Sequence, residues 1–286
     1  MFDVNNKNIL ITGATSGIGK SAALKLVSYN ANIYFIARNE DRAKNLVLEV
    51  DKINKGKAIP IIADLSSQKD IYKAATKFNS LNIPLHVLLN NAGLINNQRK
   101  ETVDGYEEVF AINHLAYFYL THLLLERLRA EPLSRIVNVS SGAHAFVKGY
   151  NFEDVQSLKS YKPFQVYGYS KLANILFTKK LAQFLEKDKI TVNCLHPGVV
   201  GTSFGQNNGN FQKALFFLAK PFMRSSEKGA ETSVYLCSSP EVSDESGQYF
   251  YNCKVAKTTK WAQSKEDADR LWNLSEEFTG VSWGIN

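Results

Sequence analysis

Seven apolar runs of strand length set the frame for this chain: NILIT (8–12), NIYFIA (32–37), AIPIIA (58–63), HVLLNNA (86–92), RIVNVSS (135–141), TVNCL (191–195) and QYFYN (248–252). They are continuous rather than alternating, so both faces of each strand are expected to be buried. Longer segments with helical spacing separate most of them, among them Lys20 to Tyr29, Glu40 to Lys52, Gly105 to Leu128 and Val166 to Glu186. A strand that returns through a helix to the next strand builds a parallel sheet covered by helices. The expected fold is α/β: one doubly wound, mostly parallel seven-stranded sheet with helices on both faces. With 286 residues and neither linker nor internal repeat, the chain reads as a single domain, 1–286. Two long excursions, about 142–165 and 199–224, follow strands five and six, and a tail of about 254–286 closes the chain. Both excursions leave strand C-termini, where open α/β sheets bind ligands, and both are rich in aromatic residues.

Several classes fall away. No apolar run approaches the roughly 18 residues of a membrane span. The start, MFDVNNKN, lacks the charged-then-apolar order of a signal peptide, so a soluble, cytoplasmic protein is expected. Cys194, Cys237 and Cys253 are far apart and have no histidine at ligand spacing, which argues against disulfides and against a metal site. The net charge of +7 is spread among acids, as in EDRAK and SKEDADR, and forms no basic stripe for nucleic acid.

The first strand ends in Thr12-Gly13-Ala14-Thr15-Ser16-Gly17-Ile18-Gly19, and a helix follows. Glycines here let the backbone bend and approach a pyrophosphate, while the helix N-terminus offers N–H donors to the anion. This makes the sheet Rossmann-type and implies a dinucleotide. The second strand ends at Ala37-Arg38-Asn39. A free ribose 2′-hydroxyl is usually met by an acid at this point and a 2′-phosphate by a cation, so Arg38 implies NADP(H) rather than NAD(H).

Tyr167-Gly168-Tyr169-Ser170-Lys171 opens a helical segment, and its i, i+4 spacing puts Tyr167 and Lys171 on one face. A neighbouring ammonium favours the phenolate and is expected to bring the tyrosine toward the working pH range as a proton donor and acceptor.

Taken with Asn90-Asn91-Ala92-Gly93 ending strand four, Ser140-Ser141 ending strand five and His196-Pro197-Gly198 ending strand six, the chain resembles the short-chain dehydrogenase/reductase family over about residues 7 to 280. Ile136 to His144, Tyr167 to Phe177 and the tail with Arg270-Leu271-Trp272 resemble its retinol-dehydrogenase-like subgroup. The resemblance implies hydride transfer between a nicotinamide and a carbonyl or alcohol. It implies Tyr167 as general acid/base, Lys171 as its partner and nicotinamide-ribose contact, Ser141 as the substrate-polarising hydroxyl, and Asn113 as support for a proton path. For the cofactor it implies Gly13, Ser16, Gly17, Ile18, Gly19, Arg38, Asp64, Leu65, Asn91, Ala92, Gly93, Pro197, Gly198 and Thr202 as contacts, and no metal.

Other residues point to the substrate. Phe146, Phe152, Tyr161 and Phe164 suggest a bulky apolar aldehyde, ketone or alcohol. His144 is read either as lining the substrate or as packing. Residues 211–223 are read as a lid, as a membrane-docking surface or as packing. The long helices leave room for a homo-oligomer. The alternative to an enzyme is a nucleotide-binding sensor without turnover, which has no need of the Ser141, Tyr167 and Lys171 set.

Overall fold

The structure is a computed structural model and describes residues 3–200 and 224–284. Thr202 and the 211–223 segment lie outside the described residues. The strands are β1 (Asn8–Thr12), β2 (Asn32–Ala37), β3 (Lys57–Ile62), β4 (Val87–Asn90), β5 (Arg135–Val139), β6 (Thr191–His196), β7 (Tyr249–Tyr251) and β8 (Lys254–Val255). Among the described residues they form one sheet in the order β3-β2-β1-β4-β5-β6-β7-β8. Every pair from β3 to β7 is parallel. The order reverses between β1 and β4, the switch point at which such sheets open a ligand crevice.

The sheet has eight strands, one more than expected. β8 is only two residues long and runs antiparallel to β7, with Phe250 opposite Val255 and Tyr251 opposite Lys254. Asn252 and Cys253 both take positive φ, 51° and 57°, as a two-residue hairpin turn of this hand demands. Such a turn usually announces itself with glycine. Here it does not, and two residues are too few to show a period.

Both faces of the sheet are buried, which explains the continuous apolar runs. Within β1, Ile9 and Ile11 join Leu26, Phe35, Val137 and Phe250 on one side. Leu10 points the other way, into a cluster with Phe78, Leu88, Phe118, Ile136 and Phe177. Pro60 sits in β3 at the sheet edge, where a missing ladder donor costs little.

The helices are α1 (Gly17–Ser28), α2 (Glu40–Asp51), α3 (Gln68–Ser80), α4 (Glu108–Phe110), α5 (Ala116–Arg129), α6 (Pro163–Phe184), α7 (Ser226–Ser238) and α8 (Lys265–Thr279). Side-chain caps start several of them. Asn39, Ser67 and Ser264 accept the N–H groups of Arg42, Asp70 and Asp267. A π-helical segment, Ala111–Leu115, joins α4 to α5. The tail folds back: Trp272 of α8 and Trp283 pack edge-on against Phe118 with ring centres 5.1 and 5.4 Å away. Among the described residues, no helix is long and apolar enough to cross a membrane.

Candidate active site

A cleft of about 510 Å³ opens at the C-terminal ends of β1 and β4. The glycine turn forms part of its lining. Gly13 and Gly17 adopt φ of 70° and 53°, the left-handed region that glycine enters freely. A Cβ on Gly19 would come within 2.3 Å of the Gly13 carbonyl oxygen and 2.4 Å of Asn91 Nδ2, so strand, turn and helix close only over a bare α-carbon. The N-cap residue, Ser16, makes no side-chain cap bond, and the first-turn N–H groups of α1 have no intrahelical acceptor. These residues fit a bound pyrophosphate. Arg38, just after β2, and Arg42, in the first turn of α2, line the same cleft, and Asp64 and Leu65 line it after β3.

The middle of the cleft is a rigid polar clamp. Thr12 Oγ1 accepts the N–H groups of Asn91 and Ala92, both at 2.9 Å. Asn91 Nδ2 donates back to the carbonyls of Thr12 and Gly13. The Tyr117 hydroxyl donates to the Ala92 carbonyl at 2.8 Å. Asn113 sits in the π segment, where the extra backbone residue turns a buried side chain back toward this strand end. Its Oδ1 accepts Leu94 N–H at 2.8 Å, and its Nδ2 donates to the Leu94 carbonyl and to Ser170 Oγ. A Cβ on Gly93 would lie 3.2 Å from Asn113 Oδ1 and 3.4 Å from Lys171 Nζ, so glycine here keeps the space before the lysine open.

At the reacting end, Ser141 caps a short 3₁₀ turn, its Oγ accepting Ala143 N–H at 3.2 Å. Ser141 also hydrogen-bonds the Tyr167 phenol. Lys171 is 2% exposed, with Nζ donating to the Val139 carbonyl at 3.0 Å and lying 5.6 Å from the Tyr167 ring centre. Burial pushes Tyr167 up to about 12, against the pull of the Ser141 hydrogen bond, and pushes Lys171 down to about 7. The expected lowering of Tyr167 is thus not seen: burial desolvates both groups and outweighs the Ser141 hydrogen bond.

Every described residue expected to touch the cofactor lines this one cleft, as do Ser141, Tyr167 and Lys171. Asn113 is brought behind it, fully buried. His144 does not line the cleft: it is buried beside Ser141, with Nδ1 2.8 Å from the Ser141 carbonyl and its ring edge-on to Tyr249. Arg42, Thr12 and Tyr117 were not anticipated. Arg42 had a signal, a second cation four residues past Arg38; the other two act through contacts that only the fold creates. Among the described residues no group of three or more His, Cys, Asp or Glu could hold a metal ion.

Two histidines near the cleft are kept neutral. Burial drives His114 down to about 3, and burial, with His144 and Arg224 nearby, drives His196 down to about 4. The unfolded chain takes up these protons near pH 6.5, so it binds more protons than the folded chain below that point. Their stability contribution is present above about pH 6.5 and is lost as pH falls toward the folded values. Urea midpoints should therefore drop between about pH 7 and pH 5 with an unchanged m-value; equal midpoints would contradict this burial.

The comparisons with known proteins agree with this geometry. The family model for short chain dehydrogenase matches residues 7–213. The chain belongs to the short chain dehydrogenase family. Retinol dehydrogenase 12 of Mus musculus is 38% identical over 281 residues, covering 98% of this chain and 88% of the relative. Retinol dehydrogenase 14 of Homo sapiens is 37% identical, covering 97% of this chain and 88% of the relative. Polyprenol dehydrogenase of Homo sapiens is 35% identical, with 95% and 84% covered. A crystal structure of an uncharacterized Mycobacterium paratuberculosis protein superposes with a TM-score of 0.80 at 26% identity, over 100% of this chain and 97% of the other. This short chain dehydrogenase is thus retinol-dehydrogenase-like, in an oxidoreductase family that uses NAD(P) cofactors.

Proposed function

We propose that this short chain dehydrogenase transfers hydride between NADP(H) and the carbonyl or alcohol carbon of a bulky apolar substrate. The observation that carries the reading is the Ser141–Tyr167 hydrogen bond, with Lys171 one turn along α6, all three lining the same cleft as the glycine turn. When bound, the nicotinamide supplies or accepts the hydride. The protein's residues do the rest. Ser141 Oγ and the Tyr167 hydroxyl hold the substrate oxygen, and Tyr167 gives it a proton on reduction or takes one on oxidation. Lys171, anchored on the Val139 carbonyl, stands by Tyr167 to stabilise its phenolate. Asn113 fixes the Leu94 backbone in front of Lys171. The hydrogen-bonded clamp around Asn91 and Ala92 orients the reactants.

The preference for NADP(H) over NAD(H) is supported by Arg38, just after β2, and Arg42, in the first turn of α2, since two guanidiniums suit a 2′-phosphate. Arg38→Asp is expected to weaken NADPH binding about 10- to 100-fold, the worth of a charge-assisted contact, while NADH binding holds or improves. Fluorescence titration of both nucleotides measures this. An unchanged NADPH-to-NADH ratio would count against it. An apolar substrate is supported by Phe146 and Phe164, 71% and 59% exposed, a few residues from Ser141 and Tyr167. Free thiols at Cys194, Cys237 and Cys253 suit the reducing, cytoplasmic setting that belongs to the same proposal.

A panel of aldehydes and ketones from small polar to long apolar, assayed with NADPH and with NADH, tests the reading. Preferential oxidation of NADPH with long apolar carbonyls is expected. NADPH binding without turnover on any of them would favour a nucleotide sensor instead.

A further inference from the structure

Pro197, Gly198 and Val200 line the cleft just after β6, and side chains that do not line it hold them in place. Gly198 takes φ of 87°, and a Cβ on it would stand 2.8 Å from both Cδ and Nε of Arg224. The arginine stem therefore lies against its bare α-carbon. Arg224 also runs beside this segment in the backbone. Its N–H donates to the Val199 carbonyl at 2.8 Å, and it forms a parallel bridge with Val200. The guanidinium is held in turn by the β7–β8 hairpin: Nη1 donates to Asn252 Oδ1 at 2.6 Å and Nη2 to the Tyr251 hydroxyl at 2.8 Å. Both acceptors are neutral, and a planar fork bonded at two points keeps its stem in one direction.

The same contacts place Gly198 beside the reacting groups. Tyr251 pairs with His196 across β6 and β7, their rings stacked 4.9 Å apart and 19° from parallel. His196 Nδ1 accepts the Gly198 N–H at 3.3 Å, which leaves the proton of the neutral ring on Nε2. A Cβ on Gly142, the residue after Ser141, would come within 3.2 Å of that Nε2. One imidazole thus meets Gly198 and the Ser141 turn. Further along the segment, a Cβ on Gly229 of α7 would stand 2.7 Å from Val200 and 3.2 Å from Ile18 of the glycine turn. Residues 197–200 therefore run from the Ser141 turn to the glycine turn.

We propose that Arg224, clamped by Asn252 and Tyr251, is a positioning residue that sets Gly198 against the nicotinamide half of the cofactor. The placement rests on the hydride-transfer reading. Ser141 and Tyr167 hold the substrate oxygen, so the nicotinamide has to stand within hydride reach of that point, beside Gly198. The glycine turn, Arg38 and Arg42 hold the rest of the nucleotide without help from Arg224.

Nucleotides with and without their nicotinamide test this. Arg224→Met keeps the bulk of the stem over Gly198 and removes both guanidinium donors. It should weaken NADPH about tenfold, the loss of roughly one hydrogen bond, and leave 2′-phospho-ADP-ribose within about twofold. NADH and ADP-ribose, titrated beside them, should show the same contrast. Arg224→Lys, which keeps the stem and a charged donor, should recover most of the loss. Tyr251→Phe, which keeps the ring and removes one acceptor, should weaken NADPH in the same direction by about threefold. In turnover, Arg224→Met should lower kcat about tenfold with KM for the carbonyl within about twofold. Equal weakening of the nucleotides with and without nicotinamide would mean a structural role alone, and unchanged NADPH affinity would mean none; either overturns the proposal. A wild type that binds NADPH without turnover counts against hydride transfer, while the nucleotide contrast still decides the role of Arg224.

Discussion

Tyr167→Phe is expected to lower turnover about 10³-fold, the usual worth of a positioned general acid/base. NADPH affinity should stay within about twofold, because the ring remains and only an oxygen is lost. The phenol meets Ser141 on one side and has Lys171 Nζ 5.6 Å from its ring centre on the other. Phenylalanine keeps that packing, so the fold should survive. The proton step should not, since Ser141 alone is too weak an acid to replace it. Single-turnover assays with bound NADPH separate the step from binding. Turnover like the wild type would mean that the proton comes from another group and would remove Tyr167 from the mechanism.

Gly19→Ala is expected to strike the nucleotide end as hard. The added Cβ would stand 2.3 Å from the Gly13 carbonyl oxygen, and backbone is the least able to yield. Either α1 moves away from β1 or the turn opens, and both disturb the N–H groups aimed at the pyrophosphate. Overpacking of this kind costs about 2 kcal/mol, or roughly 3 °C in Tm for a domain of this size. NADPH affinity should fall about 100-fold, since two or more charge-assisted bonds lose their geometry. Calorimetry with and without NADPH reports both effects. A variant that binds as tightly as the wild type would show that the close approach at Gly19 is not required.

Much of this was legible in the amino-acid order because backbone geometry demanded particular residues. The Gly13 to Gly19 turn, the Asn91 to Gly93 strand end and the Tyr167–Lys171 spacing each state a local constraint, and the sheet brings them into one cleft. The misses have physical reasons. β8 is too short to carry a period, and its hairpin turn uses Asn252 and Cys253 without glycine. The π segment at Ala111–Leu115 leaves helical spacing almost intact, so nothing marks it beforehand. The shifts at Tyr167 and Lys171 come first from burial, a property of the packed molecule that no motif encodes. For His144 the sequence left lining and packing both open, and the 3₁₀ turn carries it behind the serine, the packing reading.

The most direct test follows the hydride itself. Wild-type protein should carry deuterium from nicotinamide-deuterated NADPH onto the carbonyl carbon of a long apolar aldehyde, and Tyr167→Phe should bind the same nucleotide and carry almost none. Deuterium transfer by the phenylalanine variant at the wild-type rate, or none by the wild type with NADPH bound, would contradict hydride transfer driven by Tyr167.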